Sequence, residues 1–185
     1  PEDPELVRAV AAANPRTVVV LQTGSAIVVE DWIAEVPALV QAWYAGAEAG
    51  PGLADVLTGV VEPGGRLPFS VPRDERDLPD FDKDATSFTY DRWHGWWRLV
   101  RQGTAPAFPF GFGLSYTSFS LEDVAVAVRD GEVVATGMVR NTGRRAGSDV
   151  VQVYADLPDA EAPSRLLGFT RVDVPVGTSV PFEIT

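Results

Sequence analysis

The sequence TVVVL at residues 17–21 decides the first half of the fold. It is a continuous run of β-branched and apolar residues without polar alternation, which predicts a strand buried on both faces of a parallel sheet. Before it, Asp3 and Pro4 introduce an apolar stripe that Pro15 ends, and this pattern predicts a helix. A helix followed by a buried strand is typical of an α/β domain.

The next residues continue to alternate between helical and extended patterns. We expect a second helix over residues 30–35, a strand over 38–44, a brief helix over 53–57 and an extended segment over 66–71. Strands that alternate with helices indicate an α/β layer arrangement.

The last third of the chain changes to a period of two. Residues 124–128 alternate valine with alanine, and the pairs Asp130-Gly131 and Thr142-Gly143 predict hairpin turns. Only about five strands can be counted there, whereas a sandwich of the fibronectin type has about seven. The fold class that we predict is therefore α/β followed by all-β, truncated at both chain ends. We expect uncovered sheet edges. The chain should therefore be stable only when it is bound to the complementary part of the protein or when it self-associates.

The composition excludes several classes of function. A formal net charge of -11 argues against a nucleic-acid partner, because phosphate binding needs clustered Lys and Arg. The chain has no cysteine, which excludes disulfides and thiolate metal sites. It has no run of about eighteen apolar residues, so no membrane association is expected. Since no signal peptide can be read either, the localisation is left open between cytoplasmic and secreted.

The strings FPFGFGLSYT at residues 108–117 and PGGRLP at 63–68, with several other motifs in order along the chain, resemble segments of the C-terminal half of family 3 glycoside hydrolases. The first string resembles the family's passage into its fibronectin type III-like module, and the second resembles the end of its α/β domain. Further similar segments are AVAAANPRTVVVL at 9–21, AWYAGAEAG at 42–50, LADVLTG at 53–59, NTG at 141–143, VVQVY at 150–154 and LGF at 167–169. The segment YDRWHGWWR at 90–98 departs most from the family pattern.

The resemblance implies a division into two domains. Residues 1–117 would be the C-terminal portion of the family's α/β sandwich domain, with a parallel-type sheet and helices. Residues 118–185 would be an incomplete fibronectin type III-like β-sandwich.

The resemblance also implies a function for the complete protein. It would be a retaining, exo-acting β-glycosidase of the β-glucosidase kind, which removes terminal β-linked glucose or xylose from a small glycoside or oligosaccharide without any cofactor. Glycoside hydrolysis needs two carboxyl groups. In the family, both lie upstream of the matched segments, one of them in an N-terminal (β/α)8 barrel. We therefore assign no catalytic residue and expect the isolated chain to be inactive.

The expected partners are the missing barrel portion and, through it, the sugar substrate, while a homo-oligomer is left open. The alternative function is a non-catalytic carbohydrate-binding or interaction module, which would rest on the tryptophan cluster and the β-sandwich.

Three residues are candidates for substrate binding: Glu48, Asp91 and Trp93. Glu48 is the acid of a glycine-rich loop, where open α/β sheets bind ligands, although a structural role in closing the loop or meeting a helix N-terminus is favoured. Trp93, with Trp96 and Trp97, suits stacking on sugars, although a place in a domain-interface core is favoured. Asp91 beside them suits a hydrogen bond to a sugar hydroxyl.

No metal site is expected. His94 is the only histidine, and without a second histidine, a cysteine or a serine elbow it builds neither a metal site nor a triad, so a packing or hydrogen-bonding role is favoured. The acid series over residues 74–84 imitates a calcium loop, but Pro79 and Phe81 break the required spacing.

Overall fold

The computed structural model describes residues 3–156 and 164–185. Within them the regular elements are three α-helices and seven strands. The helices are α1 (Asp3–Ala13), α2 (Ala49–Thr58) and α3 (Gly95–Gln102), and the strands are β1 (Val18–Leu21), β2 (Ala38–Gln41), β3 (Phe119–Arg129), β4 (Glu132–Asn141), β5 (Gly147–Ala155), β6 (Arg165–Val174) and β7 (Ser179–Ile184). The predicted fold class, α/β followed by all-β, is confirmed.

The described residues form two compact units, which we call the α/β unit and the β unit. The α/β unit comprises the described residues of Pro1–Ala54 and Pro68–Phe110, and the β unit those of Asp55–Leu67 and Gly111–Thr185. These units follow from contacts rather than from motifs, so the family boundary between residues 117 and 118 stays a prediction.

The α/β unit is built on the two-stranded parallel pair β1–β2, in which Val18 lies opposite Ala38. The predicted helix before the first strand and the parallel pairing of that strand are confirmed. Its predicted burial on both faces was wrong, because Val18 is exposed and residues 19–21 are only partly buried. The buried core consists of Val29, Trp32 and Val36, with side chains of α1, β1 and β2 packed against it.

One local prediction in this unit was wrong, and a second was confirmed only in part. The helix expected over residues 30–35 is only a short 3₁₀ helix, Ile33–Glu35, because Val36 precedes a proline and takes an extended conformation. The strand expected over 38–44 ends at Gln41, and Trp43 adopts a φ of 56°, which interrupts the extended run.

Other elements differ in length or were not predicted. The brief helix expected over 53–57 is the longer α2, and the extended segment over 66–71 contributes only Val71, in an isolated antiparallel bridge with Phe108. Helix α3 was missed because its two tryptophans, with Gly95 and Gly103 at its two ends, drew the segment into an aromatic and glycine-rich stretch that has no clear helical pattern. It ends at Gly103, whose φ of 67° suits a residue without a side chain.

The β unit contains two antiparallel sheets, β3-β4-β7 and β5-β6. Their inward side chains enclose one apolar core of Val139, Val151, Val172, Val174, Phe182 and Ile184. The hairpin predicted at Asp130-Gly131 is confirmed, since it joins β3 to β4 and both residues have positive φ. Valines 124, 126 and 128 on β3 are exposed, while self-association stays a prediction.

The hairpin predicted at Thr142-Gly143 was wrong, because β4 and β5 belong to different sheets. The buried Asn141 organises this crossing. Its side-chain oxygen accepts hydrogen bonds from the Gly143 N–H (3.0 Å) and the Thr117 hydroxyl (2.8 Å). Its side-chain nitrogen donates to the carbonyl oxygens of Arg145 (2.7 Å) and Val174 (3.0 Å).

A segment far from the sandwich in sequence completes the β unit. We call Asp55–Leu67 the strap. The Glu62 carboxylate accepts hydrogen bonds from the Ser148 N–H (3.2 Å) and hydroxyl (3.3 Å), and Arg66 forms an ion pair with Asp149. The Tyr116 hydroxyl donates to the carbonyl oxygen of Val56 at 2.8 Å.

The backbone also fastens the strap. Leu67 N–H donates to the Phe112 carbonyl oxygen and Gly111 N–H donates to the Leu67 carbonyl oxygen, each at 2.8 Å. Gly113 lies so close to the carbonyl oxygen of Gly65 that a Cβ atom at position 113 would clash with it. This close approach explains one glycine of the FPFGFGLSYT string.

No helix among residues 3–156 and 164–185 is long and apolar enough to cross a membrane.

Candidate functional site

Two of the three candidate residues, Asp91 and Trp93, lie in an irregular loop, residues 73–94, that leads into α3. Asp74 caps a 3₁₀ helix, Glu75–Asp77, and its Oδ1 accepts hydrogen bonds from Nε and the backbone N–H of Arg76, both at 2.9 Å. The side-chain hydrogen bond from Arg76, followed by the backbone one, lowers the pKa of Asp74 from 3.8 to about 2. A glycosidase proton donor needs a raised pKa, so Asp74 is unsuited to that role.

Asp91 and Trp93 come together at the end of this loop. Asp91 Oδ1 accepts a hydrogen bond from the Trp93 N–H at 2.7 Å. His94 Nδ1 lies 2.8 Å from the Asp91 carbonyl oxygen. Because a carbonyl oxygen only accepts, Nδ1 carries the proton, and Asp91 therefore orders the entry into α3 as well as presenting a carboxylate.

The three tryptophans of the predicted cluster are engaged with other side chains. The guanidinium carbons of Arg92 and Arg101 lie 4.5 and 4.1 Å from the ring centroid of Trp93. Trp96 stacks on Phe110 with centroids 5.4 Å apart, and it also contacts Trp97. Sugar stacking needs a free ring face, so the arginines compete for the face that Trp93 would use. Trp93 as a sugar contact stays a prediction.

Aromatic rings of this loop other than the tryptophans are exposed, and they were not selected as candidates from the sequence. Phe81, Phe88 and Tyr90 are 70%, 56% and 54% exposed. Phe88 lies 6.2 Å from Phe81 and 4.8 Å from Tyr90 between ring centroids, and Tyr90 lies 6.5 Å from His94. We call Phe81, Phe88, Tyr90 and His94 the aromatic ladder. The sequence does carry a signal for the aromatic ladder: three aromatic residues occur in a loop that otherwise consists mainly of polar and charged residues.

Glu48 lies elsewhere in the α/β unit. It is exposed and ends a 3₁₀ helix, Gly46–Glu48, directly before α2. A carboxylate at a helix N-terminus interacts favourably with the helix dipole, which agrees with the structural alternative. Among the described residues no hydrogen bond or ion pair links Glu48 to Asp91 or Trp93, and its role in binding stays a prediction.

A groove of about 890 Å³ runs along the α/β unit and is large enough for a sugar. Its lining includes apolar side chains and three acids: Leu21, Trp32, Phe81, Asp3, Glu75 and Asp80. All three acids are exposed to solvent, whereas the proton donor of a glycosidase sits in a poorly hydrated place. Among the described residues no group of three or more acids and histidines is placed to hold a metal ion.

Sequence comparison identifies a family. The sequence model of the glycosyl hydrolase family 3 C-terminal domain matches residues 1–116. The chain is 38% identical to a probable β-glucosidase I of Aspergillus fumigatus, with 100% of this chain and 24% of the relative covered. It is 42% identical to β-glucosidase B of Emericella nidulans, with 97% of this chain and 24% of the relative covered.

Solved structures agree with the sequence comparison. The β-glucosidase of Kluyveromyces marxianus in complex with glucose superimposes with a TM-score of 0.90 at 40% identity, covering 100% of this chain and 23% of that one. β-Glucosidase 3B of Thermotoga neapolitana, also in complex with glucose, gives a TM-score of 0.87 at 32% identity, covering 99% and 28%. The chain thus spans about a quarter of the length of these relatives.

Proposed function

Because the chain belongs to glycosyl hydrolase family 3, we propose that it is the C-terminal, non-catalytic part of a β-glucosidase-like enzyme. The complete enzyme would be a retaining, exo-acting hydrolase of terminal β-linked glucose or xylose. The observation that carries the proposal is the match of the whole chain to about a quarter of several β-glucosidases, in sequence and in fold.

The acids of the chain support its non-catalytic role. The two carboxyl groups of a retaining glycosidase face each other about 5 Å apart across the scissile bond, and one of them must hold a proton. Asp74 has its pKa lowered by Arg76, and the acids that line the groove are exposed. The nucleophile and the proton donor would therefore come from sequence outside this chain, from the barrel portion and the preceding part of the α/β domain.

A chimera tests this proposal. The region of the Kluyveromyces marxianus enzyme that this chain matches is replaced by residues 1–185, and hydrolysis of aryl β-glucosides and β-xylosides is measured. We expect activity from the chimera and none from the isolated chain. Turnover by the purified chain that survives a contaminant control, or a folded chimera without activity, would contradict the proposal.

A carbohydrate-binding role is the second candidate function. The observation that favours it is the exposure of the aromatic ladder, since rings left open to water are suited to stacking on sugars. This role is compatible with the first proposal.

A further inference from the structure

We propose that the aromatic ladder, together with Asp91, is a binding platform for the apolar faces of neutral pyranose rings. This inference rests on the proposed function only for the choice of a glucose-based ligand. The residues to which it assigns sugar binding lie in the loop and are not members of the tryptophan cluster.

The loop is folded so that the rings meet. Asp82 Oδ1 accepts a hydrogen bond from the Asp84 N–H at 2.9 Å, and the Ala85 N–H donates to the Asp82 carbonyl oxygen at 3.2 Å. This turn reverses the chain between Phe81 and Phe88 and brings the two rings into edge-to-face contact. The ladder is therefore a defined arrangement rather than a set of separate exposed side chains.

The rings leave a continuous apolar surface in water. Phe81, Phe88 and Tyr90 are each more than half exposed. With about 200 Å² for each full ring, they present on the order of 300 Å². Contiguous apolar patches of this size on soluble proteins often mark a binding site.

The ring geometry suits sugars. Phe81 and Phe88 meet at 84°, and Phe88 and Tyr90 at 83°. An edge-to-face contact uses the edge of one ring and one face of the other, so the two contacts cover two of the six faces of these three rings and leave other faces for a ligand. The C–H face of a pyranose can lie on such an exposed ring.

The charges around the ladder select the class of ligand. Three carboxylates adjoin the rings in sequence, Asp80, Asp82 and Asp91, and a fourth, Asp84, lies in the loop between Phe81 and Phe88, where it pairs with Lys83. In a chain of net charge -11 they repel anionic ligands. They also disfavour an apolar protein partner, because the cores of protein interfaces are depleted of charged residues. A neutral sugar fits both features, since its hydroxyl rim donates hydrogen bonds to carboxylates.

The test is calorimetric titration of the complete chain with a β-linked gluco-oligosaccharide, cellotetraose, up to the solubility limit of the sugar. We expect saturable binding that Phe88→Ala weakens about tenfold, the loss corresponding to one aromatic contact. Phe88→Leu retains an apolar side chain without a ring face, and it should weaken binding to a similar extent while the fold is kept. Asp91→Asn should weaken binding less.

The matched control is Phe169→Ala. Phe169 is 66% exposed on β6 of the β unit and is no part of the ladder, so its loss should leave the dissociation constant within about twofold. Absence of saturable binding to the wild-type chain, or an equal loss in the Phe169 variant, would overturn the proposal. So would full binding by folded Phe88→Leu, or a self-association of the chain that Phe88→Leu abolishes.

The two proposals fail separately. An active chimera together with a chain that binds no sugar removes only the ladder proposal. A chain that binds cellotetraose through Phe88, together with a folded but inactive chimera, removes only the enzymatic proposal.

Discussion

The strap, beyond the end of α2 that it contains, and the loop over residues 73–94 are both largely irregular, but they are held in opposite ways. The strap bonds to partners distant in sequence: Glu62 to Ser148, 86 residues apart, and Arg66 to Asp149, 83 residues apart. Most of the loop's hydrogen bonds join residues two or three apart, as in Asp82 to Asp84. Long-range bonds make an irregular segment part of a fold, whereas local bonds shape a segment and leave its side chains available.

The largest expected effect on stability comes from removing a long-range contact of the strap. The ion pair of Arg66 and Asp149 has side chains only 14% and 23% exposed. Arg66→Ala leaves a partly buried carboxylate without its counter-charge, and we expect the free energy of unfolding to fall by about 2 kcal/mol. Urea denaturation followed by far-ultraviolet circular dichroism measures the change.

The control for this variant comes from the loop. Lys83 and Asp84 form an ion pair whose side chains are 79% and 78% exposed. Lys83→Ala should change the free energy of unfolding by less than about 0.5 kcal/mol, because exposed pairs contribute little. Equal effects of the two substitutions would refute the distinction between strap and loop.

A smaller effect is expected at Glu62. Its Oε2 bonds to Ser148, while its Oε1 is buried and has no hydrogen-bond partner among the residues that the structure describes. Glu62→Ala removes an acceptor from two donors and should lower the free energy of unfolding by about 1 to 2 kcal/mol. Glu62→Gln keeps one acceptor oxygen and should be less destabilising than Glu62→Ala. The same urea experiment compares them, and a glutamine variant as unstable as the alanine variant would contradict this account.

The smallest effect is the pH response of the loop. The pKa of Asp74 is lowered from 3.8 to about 2 by Arg76, so the folded state favours the ionised carboxylate. The contribution of this contact is present above about pH 4 and is lost as the pH falls towards about 2. Nuclear magnetic resonance titration of the Asp74 carboxyl carbon should show a midpoint near 2, and Arg76→Ala should raise it towards the ordinary value. An unchanged midpoint in the variant would disprove the assigned cause.

Sequence patterns predicted what depends on short-range order. The apolar stripe of α1, the β-branched run of β1 and the turn at Asp130-Gly131 each encode a local conformation, and the structure has all three. The Thr142-Gly143 pair has the same turn chemistry, but Asn141 redirects the chain through bonds that reach as far as Val174. No local pattern specifies such a partner.

The candidate site shows the same limit for side chains. The tryptophans were selected as candidates because they cluster in the sequence, but clustering does not show which ring faces other side chains cover. Trp93 lies against two arginines, whereas Phe88 stays more than half exposed although it contacts two rings, and this difference arises from a turn and from α3 rather than from residue type. Asp91 was found because it adjoins the aromatic cluster, and Glu48 because of its loop.

The strap has a consequence for anyone who would graft the sandwich onto another protein. The Ser148 N–H of β5 donates to Glu62 and the Val150 N–H donates to Asp149, so carboxylates occupy positions where a foreign strand would hydrogen-bond. Excision at Gly111 would leave Glu62 and Arg66 behind and open β5 to recruitment into intermolecular sheets. A transplantable module has to carry Asp55–Leu67 with it, as a second piece joined by a designed linker.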